Sequence, residues 1–284
     1  MRAQSRSVKC FERMDMATAT ATLLRSPPPI LAPKSSKNFN RITVRVCKCS
    51  SSGNSPPLSS ITPINQNTLS IIQSSGVIAC LRANSAEVAY EAASAALRGG
   101  ISVLEIVVST PCVFQILQQL VQDHPTKVLG VGTVLSLEDA INAKDAGAKF
   151  FMSPAMMKGI MEAVHDGEVL YIPGAMTPTE ILSAYDAGAK IVKVYPVSAL
   201  GGIRYISALN KPFAHIPMVA SQGIKIDSVG DYISCGASSV VLSDAIFEKE
   251  AMAQKKFDAI YQLAELAALH GKKAVARKQN NTSN

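Results

Sequence analysis

The chain has 284 residues, of which 48% are hydrophobic and 17% are charged, and its formal net charge is +7. The excess of positive charge is confined to residues 1–60, where ten Lys or Arg stand against Glu12 and Asp15; the rest of the chain has 18 basic and 19 acidic residues. The body therefore lacks the cationic surplus that a nucleic-acid-binding or membrane-binding face requires, and no segment has the apolar length of a membrane span. The four histidines are dispersed without metal-ligand spacing, so no metal site is expected.

Residues 1–60 are predicted to be a transit peptide and disordered leader. They are rich in Arg, Ser, Thr, Ala and Pro, poor in acidic residues, and lack the apolar core of a secretory signal. Hydroxylated residues outnumber arginines, which favours the chloroplast as destination, with the mitochondrion as the alternative. A disordered regulatory tail is the other interpretation. The body cysteines Cys80, Cys112 and Cys235 form no Cys-x-x-Cys pair, which is typical of a reducing compartment.

A short phrase recurs four times after residue 66. Each copy ends a helix at a small residue, continues through a glycine and enters an apolar strand, with the glycines at positions 100, 147, 188 and 236. These glycines lie 41 to 48 residues apart. Each interval has room for two strand–helix units, so the repeat predicts eight strands in all.

The predicted elements alternate strictly along the chain. Strands are expected at 76–81, 103–107, 128–133, 149–152, 170–174, 190–196, 217–221 and 238–241, and helices at 86–97, 113–123, 137–146, 156–164, 179–187, 203–209, 228–234 and 249–270. This pattern predicts an α/β protein with a (β/α)8 TIM barrel over residues 66–272, followed by a polar C-terminal tail at 273–284. An open doubly wound sheet is the alternative, but residues 81–85 lack the dinucleotide fingerprint that its first turn requires.

Two charged residues interrupt strands that are otherwise apolar. Glu105 lies in the second strand and Lys193 in the sixth, and these strands face each other across an eight-stranded barrel. A buried ammonium is costly unless it is paired or neutralised, and a neutral amine in a dry pocket condenses with a carbonyl to give a Schiff base. The pattern therefore points to carbonyl chemistry; a buried structural ion pair is the alternative.

Several phrases of the body, taken together and in order, resemble the 2-keto-3-deoxy-6-phosphogluconate / 4-hydroxy-2-oxoglutarate (KDPG/KHG) aldolase family. They lie at 77–85, 99–105, 130–134, 153–154, 173–180, 192–196 and 201–202. The resemblance implies a class I, pyruvate-dependent lyase on a compact (β/α)8 barrel, usually a homotrimer, that needs no metal or organic cofactor and acts on a small 2-oxo acid.

The resemblance also implies roles for individual residues. Lys193 takes the position of the Schiff-base lysine, Glu105 that of the acid/base glutamate, and Thr133 that of a donor to the substrate carboxylate. The remaining residues expected to bind substrate are Arg82, Ser109, Pro154, Gly174, Gly201, Gly202, Ser221, Gln222, Gly223, Ser243 and Asp244.

The sequence departs from the family pattern at two places. Ser109 stands where many members have an arginine, and Arg82 is expected to contact the carboxylate instead, a surface salt bridge being its other interpretation. The family's Thr-Gly-Gly is Ser221-Gln222-Gly223 here, and its Gly-Ser is Ser243-Asp244. Because Gln222 adds bulk and Asp244 adds negative charge to loops that usually cradle phosphate, the distal half of the site is expected to prefer an unphosphorylated group.

The leading functional prediction is a retro-aldol lyase that cleaves KDPG, 4-hydroxy-2-oxoglutarate or a close analogue to pyruvate and an aldehyde. The alternatives are a lyase for an unphosphorylated 2-oxo acid, or an oxaloacetate decarboxylase that uses the same imine. A non-catalytic barrel that binds a 2-oxo acid or a partner protein is a third interpretation.

Overall fold

The computed structural model describes residues 64–164 and 167–282; the predicted leader lies outside these ranges. The helices are α1 (Ile64–Ser75), α2 (Ala86–Arg98), α3 (Val113–Asp123), α4 (Leu137–Asp145), α5 (Lys158–Ala163), α6 (Pro178–Asp186), α7 (Ile203–Asn210), α8 (Val229–Ser234), α9 (Lys249–Ala253) and α10 (Phe257–Thr282). The strands are β1 (Val77–Leu81), β2 (Val103–Val107), β3 (Val128–Gly132), β4 (Phe150–Met152), β5 (Leu170–Ile172), β6 (Gly174–Ala175), β7 (Val192–Val194), β8 (Met218–Ser221) and β9 (Ser239–Leu242). Short 3-10 helices lie at Val197–Leu200 and Ile226–Ser228.

The strands form one parallel sheet in the order β5-β4-β3-β2-β1-β9-β8-β7-β6. The two ends of this order, β5 and β6, are consecutive halves of the fifth barrel strand, separated only by Pro173. Proline has no N–H to donate to a neighbouring strand, but its carbonyl accepts a hydrogen bond of 2.8 Å from the backbone N–H of Lys193. The sheet therefore closes through the fifth strand, which confirms the predicted (β/α)8 barrel and rules out the open doubly wound sheet.

Side chains of the strands alternate between two apolar layers. Val192 and Val194 point outward into the layer between strands and helices, whereas Ile191 belongs to the cluster inside the barrel. Lys193, which lies two residues after Ile191, shares its inward face because side chains on a strand alternate with period two. Ile72 of α1 is fully buried in the interior cluster. Helix α1 thus fills one end of the barrel interior. The other end remains open for polar side chains such as Lys193.

Two helical features differ from the sequence prediction. Helix α1 was not predicted, and the single helix expected at 249–270 is instead two helices separated at Lys255, which has a positive φ of 53°. The second of these helices, α10, packs against α2 and α8 and continues to Thr282, through most of the segment predicted to be a polar tail. Near its end, the ammonium of Lys278 donates to the carbonyl of Ala237 at 3.1 Å. The other seven predicted helices agree with the structure to within two residues at each end.

Within the ranges that the structure describes, no helix combines the length and the apolar character that crossing a bilayer requires.

Candidate active site

A cleft of about 430 Å³ opens at the carboxyl ends of the barrel strands. Ten of the predicted site residues line it: Lys193, Glu105, Thr133, Arg82, Pro154, Ser221, Gln222, Gly223, Ser243 and Asp244. Since these residues come from seven different strands or strand ends, the closed barrel is what brings them together.

Lys193 lies at the centre of β7 and is only 8% exposed. Its ammonium nitrogen lies 5.2 Å from the centroid of the Tyr195 ring, within the range of a cation–π contact. Tyr195 also lines the cleft and was missed as a site residue by the sequence analysis. The spacing could have indicated it, because a side chain two positions after Lys193 points to the same face of the strand.

Glu105 lies at the centre of β2 and is 2% exposed. A Cβ atom built on Gly132 of the neighbouring strand would overlap Oε1 of Glu105, so the carboxylate occupies space that only glycine leaves open. Oε2 of Glu105 has no hydrogen-bond partner among the described residues. A buried carboxylate oxygen without a partner is costly, and such an atom at an open cleft is free to accept a hydrogen bond from a substrate or a water molecule.

The structure does not join Lys193 and Glu105 as an ion pair. In residues 64–164 and 167–282, the salt bridges are Lys144–Glu168 and Lys255–Glu87, and both have well-exposed side chains. The buried structural ion pair that the sequence left open is therefore not formed. Both groups line the cleft as separate polar side chains, which leaves each of them available to a ligand.

Arg82 lies just beyond β1, exposed at the mouth of the cleft. Its Nη1 donates a hydrogen bond of 3.1 Å to the hydroxyl of Ser109, and it takes part in none of the salt bridges between described residues. Thr133 lies just beyond β3 and is half-buried in the same cleft. A guanidinium and a hydroxyl at one mouth suit a ligand that carries a carboxylate.

Gln222 and Asp244, which depart from the family pattern in the loops after β8 and β9, lie in the cleft wall and are exposed. Gln222 has a φ of 88°, in the left-handed region that favours glycine, and its Oε1 accepts a hydrogen bond of 2.8 Å from the hydroxyl of Ser198. Asp244 adds a carboxylate to the loop after β9. The loop after β8 therefore retains a backbone shape suited to glycine although it carries a side chain there, and the loop after β9 carries a negative charge.

Four predicted site residues do not line the cleft. Ser109 reaches it through its hydrogen bond to Arg82. Gly174 lies in β6, where a Cβ would overlap the backbone of Pro154, so its position reflects close packing of the fourth and fifth strands. Gly201 and Gly202 form the turn between the 3-10 helix at Val197–Leu200 and α7.

Cys80, like Tyr195, was not predicted as a site residue; it packs with the cluster inside the barrel and also lines the cleft. The remaining lining residues are apolar: Val107, Ile224, Val241 and Ala245. In the part of the chain that the structure describes, no group of three or more His, Cys, Asp or Glu side chains is placed to hold a metal ion.

A closed (β/α)8 barrel that presents a buried lysine and a separate buried carboxylate at the mouth of one cleft has the architecture of a class I aldolase. Comparison with known proteins agrees with this class. Residues 69–263 match the family model of KDPG and KHG aldolases. The chain belongs to this family.

Individual relatives give the same result. The KHG/KDPG aldolase of Escherichia coli strain K12 is 28% identical over 198 residues, which cover 70% of this chain and 93% of that protein. The 2-dehydro-3-deoxy-phosphogluconate aldolase of Treponema pallidum is 32% identical over 166 residues, 56% of this chain and 79% of that protein. The crystal structure of the KDPG aldolase of Legionella pneumophila, with pyruvate captured as a covalent carbinolamine, superposes with a TM-score of 0.66 at 26% identity, covering 70% of this chain and 97% of that one.

Proposed function

We propose that the protein is a class I aldolase that cleaves a 2-oxo-4-hydroxy acid, such as KDPG or 4-hydroxy-2-oxoglutarate, to pyruvate and an aldehyde. The observation that carries the proposal is the presence of Lys193 and Glu105 in one cleft, both nearly buried and not paired with each other. The names of the relatives support the same reaction, and in one of them pyruvate was captured as a covalent carbinolamine.

In the proposed mechanism, the unprotonated amine of Lys193 attacks C2 of the substrate and gives a carbinolamine, which loses water to form an iminium ion. Glu105, directly or through a water molecule, takes the proton of the C4 hydroxyl as the C3–C4 bond breaks. The electron pair of that bond moves toward the iminium nitrogen, so an aldehyde leaves and an enamine remains. Glu105 then returns the proton to C3, and hydrolysis of the iminium ion releases pyruvate and the free lysine.

The lysine is tested by borohydride reduction in the presence of pyruvate, followed by peptide mass mapping. We expect a stable adduct on Lys193 and no adduct in Lys193→Arg, which retains the charge but cannot form the imine. Lys190→Arg is the matched control, because Lys190 is an exposed residue just before the same strand. An adduct on another lysine, or the absence of any adduct in the unmodified protein, would contradict the proposal.

We further propose that the distal half of the site prefers an unphosphorylated substrate. The support is that Gln222 and Asp244 both line the cleft, where the first adds a side chain and the second a negative charge facing any bound phosphate. Steady-state cleavage of matched phosphorylated and unphosphorylated 2-oxo acids tests this preference. A higher kcat/KM for the phosphorylated acid would refute it.

We propose a homotrimer as the assembly. A cyclic trimer joins two different patches of each subunit, and exposed apolar side chains lie in two separate segments of the chain. One consists of Leu135, Leu137 and Ile141, of which Leu135 and Ile141 are 52% and 51% exposed; the other contains Met176 and Leu182. Light scattering after size exclusion should give three times the protomer mass for the protein and one protomer mass for Ile141→Glu. A monomeric parent protein would contradict the trimer.

We propose the chloroplast as the location, on the composition of residues 1–60, which lie outside the described residues. A fusion of these residues to a fluorescent protein should be imported into isolated chloroplasts and shortened. Import into mitochondria instead would select the alternative.

A further inference from the structure

Cys80 is a cleft residue for which the proposed mechanism has no use. It lies in β1, directly across the strand pair from Glu105, since the two Cα atoms are partners in the register of β1 with β2. Its side chain packs with the cluster inside the barrel and lines the same cleft as Lys193. Side chains of directly paired residues on one face of a sheet lie next to each other, so the thiol borders the proposed acid/base group.

The chemical state of the thiol follows from this position. Burial and the neighbouring carboxylate of Glu105 raise the pKa of Cys80 well above its usual value. At neutral pH the group is therefore a protonated thiol, which is a hydrogen-bond donor and a poor nucleophile. The register of β1 with β2 places this protonated thiol beside the Glu105 carboxylate.

The carboxylate itself supplies the second observation. Glu105 is 2% exposed, and its Oε2 has no hydrogen-bond partner among the described residues. On its other side the carboxylate rests against Gly132, which has no side chain to donate a hydrogen bond. Cys80 is thus a donor side chain beside a carboxylate that has one buried oxygen without a partner among the described residues.

We propose that Cys80 is a positioning residue, whose S–H group donates a hydrogen bond to the Glu105 carboxylate and holds it in the orientation in which it accepts the substrate proton. The inference rests on the proposed function, because it assigns Glu105 as the acid/base. A thiol is a weak donor, so it fixes the direction of the carboxylate without binding its proton-accepting oxygen as firmly as a hydroxyl or an ammonium would.

Other charged or titratable groups also face this part of the cleft. Lys193 comes from β7 and Arg82 from the end of β1, and both are cations that line the cleft. Tyr195 follows β7, and Asp244, after β9, is a second carboxylate in the cleft wall. All four remain in place in variants of Cys80, so a change in pH dependence between these variants reports on the thiol.

The test uses a reaction that does not depend on the unidentified aldehyde. Pyruvate alone forms the imine, and removal of a C3 proton by Glu105 exchanges its methyl hydrogens for deuterium in D2O, which NMR follows. Cys80→Ala, Cys80→Val and Cys80→Ser are compared over a range of pH. Alanine is smaller than cysteine and valine is larger, but neither has a donor, whereas serine keeps one. Cys235→Ala, at the end of α8 outside the cleft, is the matched control.

We expect Cys80→Ala and Cys80→Val to slow exchange by about fivefold, the equivalent of one ordinary hydrogen bond. A carboxylate that loses a hydrogen-bond donor ionises less readily, so the acidic limb of their rate profiles should move to higher pH. Cys80→Ser keeps a donor, and a stronger one, so its acidic limb should lie at the pH of the parent or below it; all variants should still be trapped on Lys193 by borohydride.

Two outcomes would overturn the inference: unchanged exchange and profile in Cys80→Val, or equal slowing in all three variants without a shift of the acidic limb, which is the signature of packing alone. Failure of the parent protein to be trapped with pyruvate would instead contradict the proposed function. The two failures are therefore distinguishable.

Discussion

Arg82 and Ser109 are joined by a hydrogen bond of 3.1 Å from the guanidinium Nη1 to the hydroxyl oxygen. Ser109 occupies the position where many aldolases of this family carry an arginine, and Arg82 reaches that position from the end of the first strand. The guanidinium that lies at this position thus comes from a different strand. The serine orients this cation at the mouth of the cleft.

This relationship predicts how the substrate carboxylate is bound. Arg82→Leu should raise the KM for a 2-oxo acid by about tenfold or more, since a hydrogen bond to a charged group contributes about 1.5 to 3 kcal/mol. Ser109→Ala should have a smaller effect, because it removes only the group that orients the guanidinium. Steady-state kinetics of cleavage measure both.

A second-site change makes this test specific. Ser109→Arg restores the family's usual arginine, and in the Arg82→Leu background it should recover most of the lost affinity. If Arg82→Leu leaves KM unchanged, Arg82 does not bind the substrate carboxylate. If the double variant is no better than Arg82→Leu alone, the two positions are not interchangeable sources of the cation.

Gly132 leaves the space that the Glu105 carboxylate occupies. Even the methyl group of alanine at this position is therefore expected to lower kcat strongly. In Gly132→Ala the new Cβ would overlap Oε1 of the carboxylate, so Glu105 must leave its position. We expect kcat to fall by about a hundredfold or more, the scale of a lost general acid/base. Gly159→Ala is the matched control, because a Cβ there meets no atom within 4 Å. Near-normal kcat in a folded Gly132→Ala would show that the carboxylate position is not critical.

The barrel and its buried charged residues, Lys193 and Glu105, could be predicted from the sequence. A repeat of helix, glycine and strand predicts alternating strands and helices, which favour a closed parallel barrel. A lysine or glutamate inside an otherwise apolar strand indicates a polar position in the barrel interior. Cys80 and Tyr195 were missed because cysteine and tyrosine are ordinary residues in apolar strands. Helix α1 was missed because tertiary packing stabilises it. Ile72 inserts into the barrel interior, and the local sequence does not reveal that contact.

Exchange of the two unusual loop residues should alter substrate preference. Gln222→Gly places glycine at a φ of 88°, which glycine tolerates best, and Asp244→Ser removes the negative charge. Together they should raise kcat/KM for a phosphorylated 2-oxo acid by about tenfold or more relative to its unphosphorylated analogue. The reason is that both features that oppose phosphate binding, the extra side chain and the negative charge, are removed. Parallel assays of both substrates measure this ratio. An unchanged ratio would mean that these side chains do not face the distal group.

The packing of α1 predicts a stability effect far from the chemistry. Ile72 is fully buried inside the barrel, so Ile72→Ala should lower the free energy of unfolding by about 2 to 5 kcal/mol. The exposed residue Gln66 lies on the same helix, and Gln66→Ala should change stability by less than about 0.5 kcal/mol. Urea unfolding followed by circular dichroism compares the two. Equal effects would mean that α1 does not contribute its buried face to the core.

Thiol reactivity provides a direct check on the environment of Cys80. Its pKa is raised, mainly by burial and then by the charge of Glu105, so the reactive thiolate forms only at higher pH than in an ordinary exposed thiol. At pH 7.5, iodoacetamide should therefore modify the exposed Cys112 at least about tenfold faster than Cys80. The rate at Cys80 should continue to rise as the pH increases, until its thiol is ionised. Peptide mass mapping at timed intervals gives both rates. Prior reduction of the pyruvate adduct on Lys193 should slow the modification of Cys80 further, because the adduct fills the cleft that the thiol lines. Modification of Cys80 as fast as Cys112 at neutral pH would place a thiolate beside Glu105, where it would be an acceptor and not the donor that we infer.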